Sequence, residues 1–159
     1  MTTANLYVVQ GGYYQPDSIR NTINYIYRKG SSRTKTIYCY GSQSHSKQEL
    51  ISTFYQAHNS HPYTSEYVVH FFISFPEDYE RNADTYLFLD ELAFAIGQKY
   101  PICYSEHNDT DHLHFHFIAC CAGYFPGTPD LNSVLFSEYL EPFVATAAKF
   151  NIALTTGGK

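Results

Sequence analysis

Hydrophobic positions along the chain repeat with two periods, near two and near 3.6, and the switches between them divide it into elements. Leu6-Tyr7-Val8-Val9-Gln10 reads as a short strand closed by Gly11-Gly12. Past Pro16, Asp17 or Ser18 caps a helix that runs to about Lys29, where Gly30 stops it. Ile19, Ile23 and Ile26 form one narrow stripe, the core face of that helix. Tyr25 points well away from the stripe, beside Ser18, Asn21 and Arg28, whereas Tyr27 sits on its shoulder and is the packing residue.

After a polar loop, Thr36 to Tyr40 has strand character, and Ser44 caps a helix through about His58. Glu66 to Phe75 is nearly continuous apolar and aromatic sequence, as a central strand buried on both faces requires. Asn82 to Tyr100, with Tyr86, Leu89, Phe94 and Ile96, reads as an amphipathic helix stopped by Pro101. Ile102 to Glu106 and His112 to Cys121 are adjacent strands joined through the turn-forming Asn108-Asp109-Thr110-Asp111. Leu131 to Asn151 reads as helical with a break near Pro142, and the chain frays from Thr155. The sum is an α+β fold: an antiparallel or mixed sheet of about four or five strands with helices packed on it. Residues 1–155 are expected to form a single domain, with 156–159 as a flexible tail.

Composition supports a folded protein, since 44% of the residues are hydrophobic and 16 Tyr and 12 Phe favour strands. No apolar run has membrane-span length and the first residues lack a signal-peptide pattern, so a cytoplasmic protein without a membrane partner is expected. Cys39, Cys103, Cys120 and Cys121 are scattered, and read as small buried hydrophobes in a reducing compartment. Charge changes the picture more. A net charge of −5 runs against polyanion binding, yet Arg20, Arg28, Lys29, Arg33, Lys35 and Lys47 fall in a segment from Ser18 to Gln48 that contains no Asp or Glu. Tyr25 lies inside this basic segment, off the apolar stripe.

The densest chemistry is His107-Asn108-Asp109-Thr110-Asp111-His112-Leu113-His114-Phe115-His116, which holds four of the eight histidines. In a strand, His112, His114 and His116 share one face, and His107 can approach them from the neighbouring strand. Neutral imidazoles ligate divalent transition metals, and three ligands with open positions mark a catalytic site. Asp109 and Asp111 are near enough in sequence to orient the rings. A lone His-X-His pair is more often a solvated strand face, but four histidines and two carboxylates together favour a metal site.

This stretch resembles the third motif of plasmid-mobilisation relaxases, members of the HUH endonuclease superfamily. Ser18-Ile19-Arg20-Asn21-Thr22-Ile23-Asn24-Tyr25-Ile26 resembles their N-terminal motif, and Val69-His70-Phe71-Phe72-Ile73-Ser74-Phe75-Pro76 their intermediate strand ending in Ser-Phe. The resemblance implies a HUH endonuclease-like fold, Tyr25 as nucleophile with Tyr27 as runner-up, and His107, His114 and His116 as ligands of Mn²⁺ or Mg²⁺. His112, with Asp109 and Asp111, would stand behind the ligands or face substrate. Arg20, Arg28, Lys29, Arg33 and Lys35 would contact single-stranded DNA. The implied activity is site-specific single-strand nicking and rejoining through a 5′-phosphotyrosyl intermediate at an origin of transfer of a plasmid or other mobile element, with accessory relaxosome proteins as further partners. A rolling-circle replication initiator of the same superfamily and a non-catalytic, metal-stabilised DNA-binding module are the alternatives.

Overall fold

A computed structural model describes residues 1–29, 46–107 and 111–156. Five strands, β1 (Thr2–Val8), β2 (Val68–Ser74), β3 (Ile102–His107), β4 (His114–Cys120) and β5 (Ile152–Thr155), form one sheet in the order β3-β4-β2-β1-β5. All pairings are antiparallel except β1 with β5, so the sheet is mixed. Helices α1 (Ser18–Lys29) and α2 (Lys47–Asn59) cover one face, where Ile19, Ile23, Ile26, Leu50 and Phe54 pack on Val68, Cys103, Ile118 and Cys120. Helices α3 (Ala83–Gly97), α4 (Ser133–Ser137) and α5 (Leu140–Lys149) cover the other, over Phe71, Ile73, Tyr104, Phe115 and Phe117. The expected α+β architecture is what forms.

Strand alternation sorts the sheet cleanly. In β2, Phe71 and Ile73 belong to the α3–α5 core, whereas His70 and Phe72 alternate with them toward α1 and α2. β2 is buried along most of its length because it pairs with β1 and β4 and is covered on both faces. The three described cysteines are buried, as expected of small hydrophobes.

Several boundaries differ from expectation, for identifiable reasons. β1 begins at Thr2 instead of Leu6, because Thr2–Asn5 pairs in parallel with Ile152–Thr155. The C-terminal stretch from Thr155, read as frayed, therefore starts inside an edge strand. The last helical region breaks at Glu138 and Tyr139, upstream of Pro142. Pro142 sits in the first turn of α5, where a missing N–H costs nothing. Asn151, with φ of 60°, ends that helix region in the left-handed conformation and turns the chain into β5. In α2 the cap is Ser46, whose side chain accepts from the Glu49 N–H, rather than Ser44. Phe94 is exposed, and the buried stripe of α3 runs through Phe88, Leu89, Leu92 and Ile96. The strand expected at Thr36–Tyr40 lies outside the described residues.

Candidate active site

The His-rich stretch and the first helix meet on the α1–α2 face of the sheet. Pairing of β3 with β4 sets His107 opposite His114, and pairing of β2 with β4 sets Phe72 opposite His116. Diagonal neighbours on one face then bring His70, His107, His114 and His116 together. The His107 and His116 rings stack at 4.2 Å between centroids, His70 lies 5.1 Å from His116, and His114 stands 6.0 Å away. His70, His107 and His116 are buried, while His114 is half-buried and rests against Phe72 with the rings 5.4 Å apart.

α1 supplies the tyrosine. Its Ile19, Ile23 and Ile26 side chains have no exposed surface and fix the helix on β3 and β4. One further tie is polar: His107 Nε2 donates to the Ile26 carbonyl at 3.3 Å. That carbonyl belongs to the last turn of α1, so the strand histidine ties down the end of the helix. The consequence is a helix terminus anchored to the imidazole cluster. Tyr25, 38% exposed, places its ring centroid 6.2 Å from His107, 6.4 Å from His70 and 6.5 Å from His116. Tyr27, in contrast, is partly buried against the α1–α2 core, the packing role expected of it.

Two rings of the cluster are held uncharged. Burial, reinforced by the adjacent His107, lowers His70 to about 4 and His116 to about 2, so both rings are uncharged at neutral pH. Neutral imidazoles with lone pairs are the form that ligates a cation, so the donor chemistry fits a divalent metal. Among the described residues, however, no three His, Cys, Asp or Glu side chains are already arranged to grip an ion. The stack explains why: imidazole lone pairs lie in the ring plane, so rings tilted by only 27° and stacked at 4.2 Å direct theirs side by side rather than to one point.

Other expected participants are distributed unevenly. His112 is not on β4; it is exposed, precedes the strand, and donates through Nδ1 to the Phe75 carbonyl at 3.0 Å, which ties the turn to the end of β2. It is therefore not on the shared strand face expected of it. Asp111 is exposed beside it. Arg20 is exposed on α1 with its guanidinium 5.7 Å from the centre of the Tyr55 ring. Asp109, Arg33, Lys35 and the side chains of Arg28 and Lys29 lie outside the described residues.

Two residues absent from the expected site join it. His70 Nε2 lies 2.8 Å from His116 Nδ1, and the Tyr13 hydroxyl lies 3.1 Å from His70 Nδ1. A polar His in the middle of an apolar strand was the available signal for His70, but its partner depended on the β2–β4 register. Tyr13 carried no signal among 16 tyrosines. No curated protein matches the chain. The family model described as Relaxase, MobA/VirD2-like nuclease domain, matches residues 25–127, a span that starts at Tyr25 and contains all four clustered histidines.

Proposed function

Since the chain belongs to the MobA/VirD2-like relaxase family, of the HUH endonuclease type, and is thereby a DNA-nicking enzyme that acts on single-stranded DNA, we propose that Tyr25 is its nucleophile. The observation that carries this reading is a solvent-reachable tyrosine held within 6.5 Å, ring to ring, of three buried imidazoles, two of them kept neutral by burial. In the reaction, the Tyr25 oxygen attacks the scissile phosphorus in line and gives up its proton. The bond to the 3′ oxygen breaks, that oxygen takes up a proton as a 3′-OH, and a 5′-phosphotyrosyl bond forms. One phosphoester replaces another, so the free 3′-OH of the same or another strand can reverse the exchange.

His107, His114 and His116 would hold Mn²⁺ or Mg²⁺, which when bound neutralises a non-bridging phosphate oxygen and favours departure of the 3′ oxygen. His107 donates its Nε2 proton to Ile26, so its lone pair is on Nδ1 and that atom would be its ligating one. The exposed Arg20 and the basic residues Arg28, Lys29, Arg33 and Lys35 would contact DNA phosphates near the tyrosine. The substrate of this reading is an origin of transfer on a mobile element, with accessory proteins assisting, in the cytoplasm. No helix among the described residues is long and apolar enough to cross a membrane.

The test incubates the protein with Mn²⁺ and single-stranded oligonucleotides covering the mobile element that encodes it, then resolves products under denaturing conditions. A covalent adduct that disappears with EDTA and with Tyr25→Phe supports the reading. Undiminished adduct with Tyr25→Phe transfers the role to another tyrosine, Tyr27 first. Tight DNA binding without any adduct, across all of the oligonucleotides, supports the non-catalytic module instead.

A further inference from the structure

One chain of contacts beside the cluster has no part in the nicking reaction as written. Tyr13 Oη, His70 and His116 form an unbroken line, 3.1 Å from the hydroxyl to His70 Nδ1 and 2.8 Å from His70 Nε2 to His116 Nδ1. A neutral imidazole carries its proton on one nitrogen and its lone pair on the other, so this line has two proton arrangements. In the first, Tyr13 donates to His70, His70 donates through Nε2 to His116, and His116 has its proton on Nε2. In the second, His116 donates through Nδ1 to His70, His70 donates through its own Nδ1 to the Tyr13 oxygen, and His116 Nε2 carries the lone pair. Only the second lets His116 ligate a cation through Nε2.

The β1–α1 loop is built to put the Tyr13 ring in this line. Gly12 has φ of 63°, a left-handed conformation that glycine adopts without cost. A Cβ on Gly11 would fall 2.3 Å from Tyr13 Cζ and 2.6 Å from its Oη, so the ring folds back over a position where a side chain would displace it. The Tyr13 backbone is held separately, its carbonyl accepting from the Tyr67 N–H at 2.8 Å. Thus a substitution at Gly11 moves the far end of the ring while leaving the loop's backbone tie in place.

We propose that Gly11, Tyr13 and His70 are positioning residues that set the His116 proton on Nδ1 and so present its Nε2 lone pair to a divalent cation. This rests on the reading of His116 as a metal ligand. Ligating histidines commonly donate their second N–H to an acceptor that fixes the tautomer, usually a carboxylate, carbonyl or water. Here the acceptor is a neutral imidazole backed by a phenol. Because that relay carries no negative charge, it orients the ring without offsetting the cation's charge toward a phosphate.

The test measures Mn²⁺ binding by titration calorimetry on the whole chain, for the unaltered protein, His116→Ala, Tyr13→Phe and Gly11→Ala, with thermal melts to verify folding. Imidazole ¹⁵N NMR spectra of the unaltered protein and Tyr13→Phe, without metal and with diamagnetic Mg²⁺, provide a readout of tautomer. Loss of binding in His116→Ala, with Mn²⁺ affinity weakened on the order of ten- to hundredfold in both Tyr13→Phe and Gly11→Ala, is expected. The Mg²⁺-loaded spectrum should show protons on Nδ1 of both His116 and His70, and His70 should lose that single tautomer in Tyr13→Phe. Unchanged affinity in folded Tyr13→Phe and Gly11→Ala and unchanged tautomers in Tyr13→Phe, beside lost binding in His116→Ala, would overturn the relay and leave the metal reading standing. If the unaltered protein binds no Mn²⁺, the metal reading itself fails and the relay's purpose falls with it.

Discussion

Glu106 occupies the residue before His107 in β3 but faces the opposite side of the sheet, and with 1% of its side chain exposed it is the most informative place to perturb the scaffold of the site. Its Oε1 accepts from the Tyr86 hydroxyl at 2.5 Å, and its Oε2 lies 3.3 Å from Arg81 Nε. The two partners differ in replaceability. Arg81 is 38% exposed, so water can take its place, and Oε2 has no aligned hydrogen bond among the described residues even with Arg81 present. Tyr86 is partly buried against the core, and its hydroxyl meets a carboxylate side chain that is only 1% exposed. Tyr86→Phe removes one hydrogen bond to a charged acceptor and strands a buried oxygen, a loss of about 2–3 kcal/mol. For a chain of this size that corresponds to roughly 4–12 °C in Tm. Arg81→Ala should cost less, about 1 kcal/mol, because it is a half-exposed ion pair. Urea unfolding at pH 7 with both single variants and the double variant measures the terms and their coupling. A cost below about 0.5 kcal/mol for Tyr86→Phe, or a larger one for Arg81→Ala, would refute the reasoning that the hydroxyl and not the guanidinium supports Glu106.

Ile23 has no exposed surface under α1, and Ile23→Ala should destabilise the fold by about 2–5 kcal/mol in chemical denaturation; a cost under about 1 kcal/mol would mean that α1 is not packed as described. In metal-free protein the lowered His70 and His116 should make stability pH-dependent: both states are neutral above about 6.5, and below it the unfolded chain takes up protons that the folded chain refuses until about 4 for His70. Stability is therefore fully present above pH 6.5 and falls below it by up to about 1.4 kcal/mol per pH unit for each such proton, with a shallower fall in His70→Gln; equal slopes in both proteins from urea curves at pH 7.5, 6.0 and 5.0 would contradict the assignment. Cys103, Cys120 and Cys121 are buried, and burial raises the Cys121 thiol far above its usual value, so a thiol reagent should label these three in urea but not in buffer, read by mass spectrometry.

Local pattern carried a good deal of this molecule. The Ile19, Ile23 and Ile26 stripe identified the buried face of α1, and the turn residues after His107 identified the β3–β4 hairpin, because both are contacts between residues close in sequence. What escaped was set by partners far along the chain. β5 is four residues long and exists because Thr2–Asn5 offers it an edge, so neither polar Thr2-Thr3 nor short Ile152–Thr155 signals a strand alone. His70 enters the site through the register of β2 on β4, information that no stretch of either strand contains. His112 shows the reverse error, since alternation with His114 and His116 implied a shared face, but the strand starts only at His114. Phe94 was counted as core for its chemistry, yet in α3 it lies on the exposed side.

The side chain to which the DNA becomes attached tests the role of Tyr25 most directly. After reaction with Mn²⁺ and a cleavable single strand, nuclease and trypsin digestion leave a nucleotide-bearing peptide, and cleavage after Arg20 and Arg28 places Tyr25 and Tyr27 together in Asn21–Arg28. Fragment ions separate the two. The phosphonucleotide is expected on Tyr25 alone, with a 3′-OH on the released strand; attachment at Tyr27 or at any other side chain, or a product cut without covalent attachment, would rule out Tyr25 as the nucleophile.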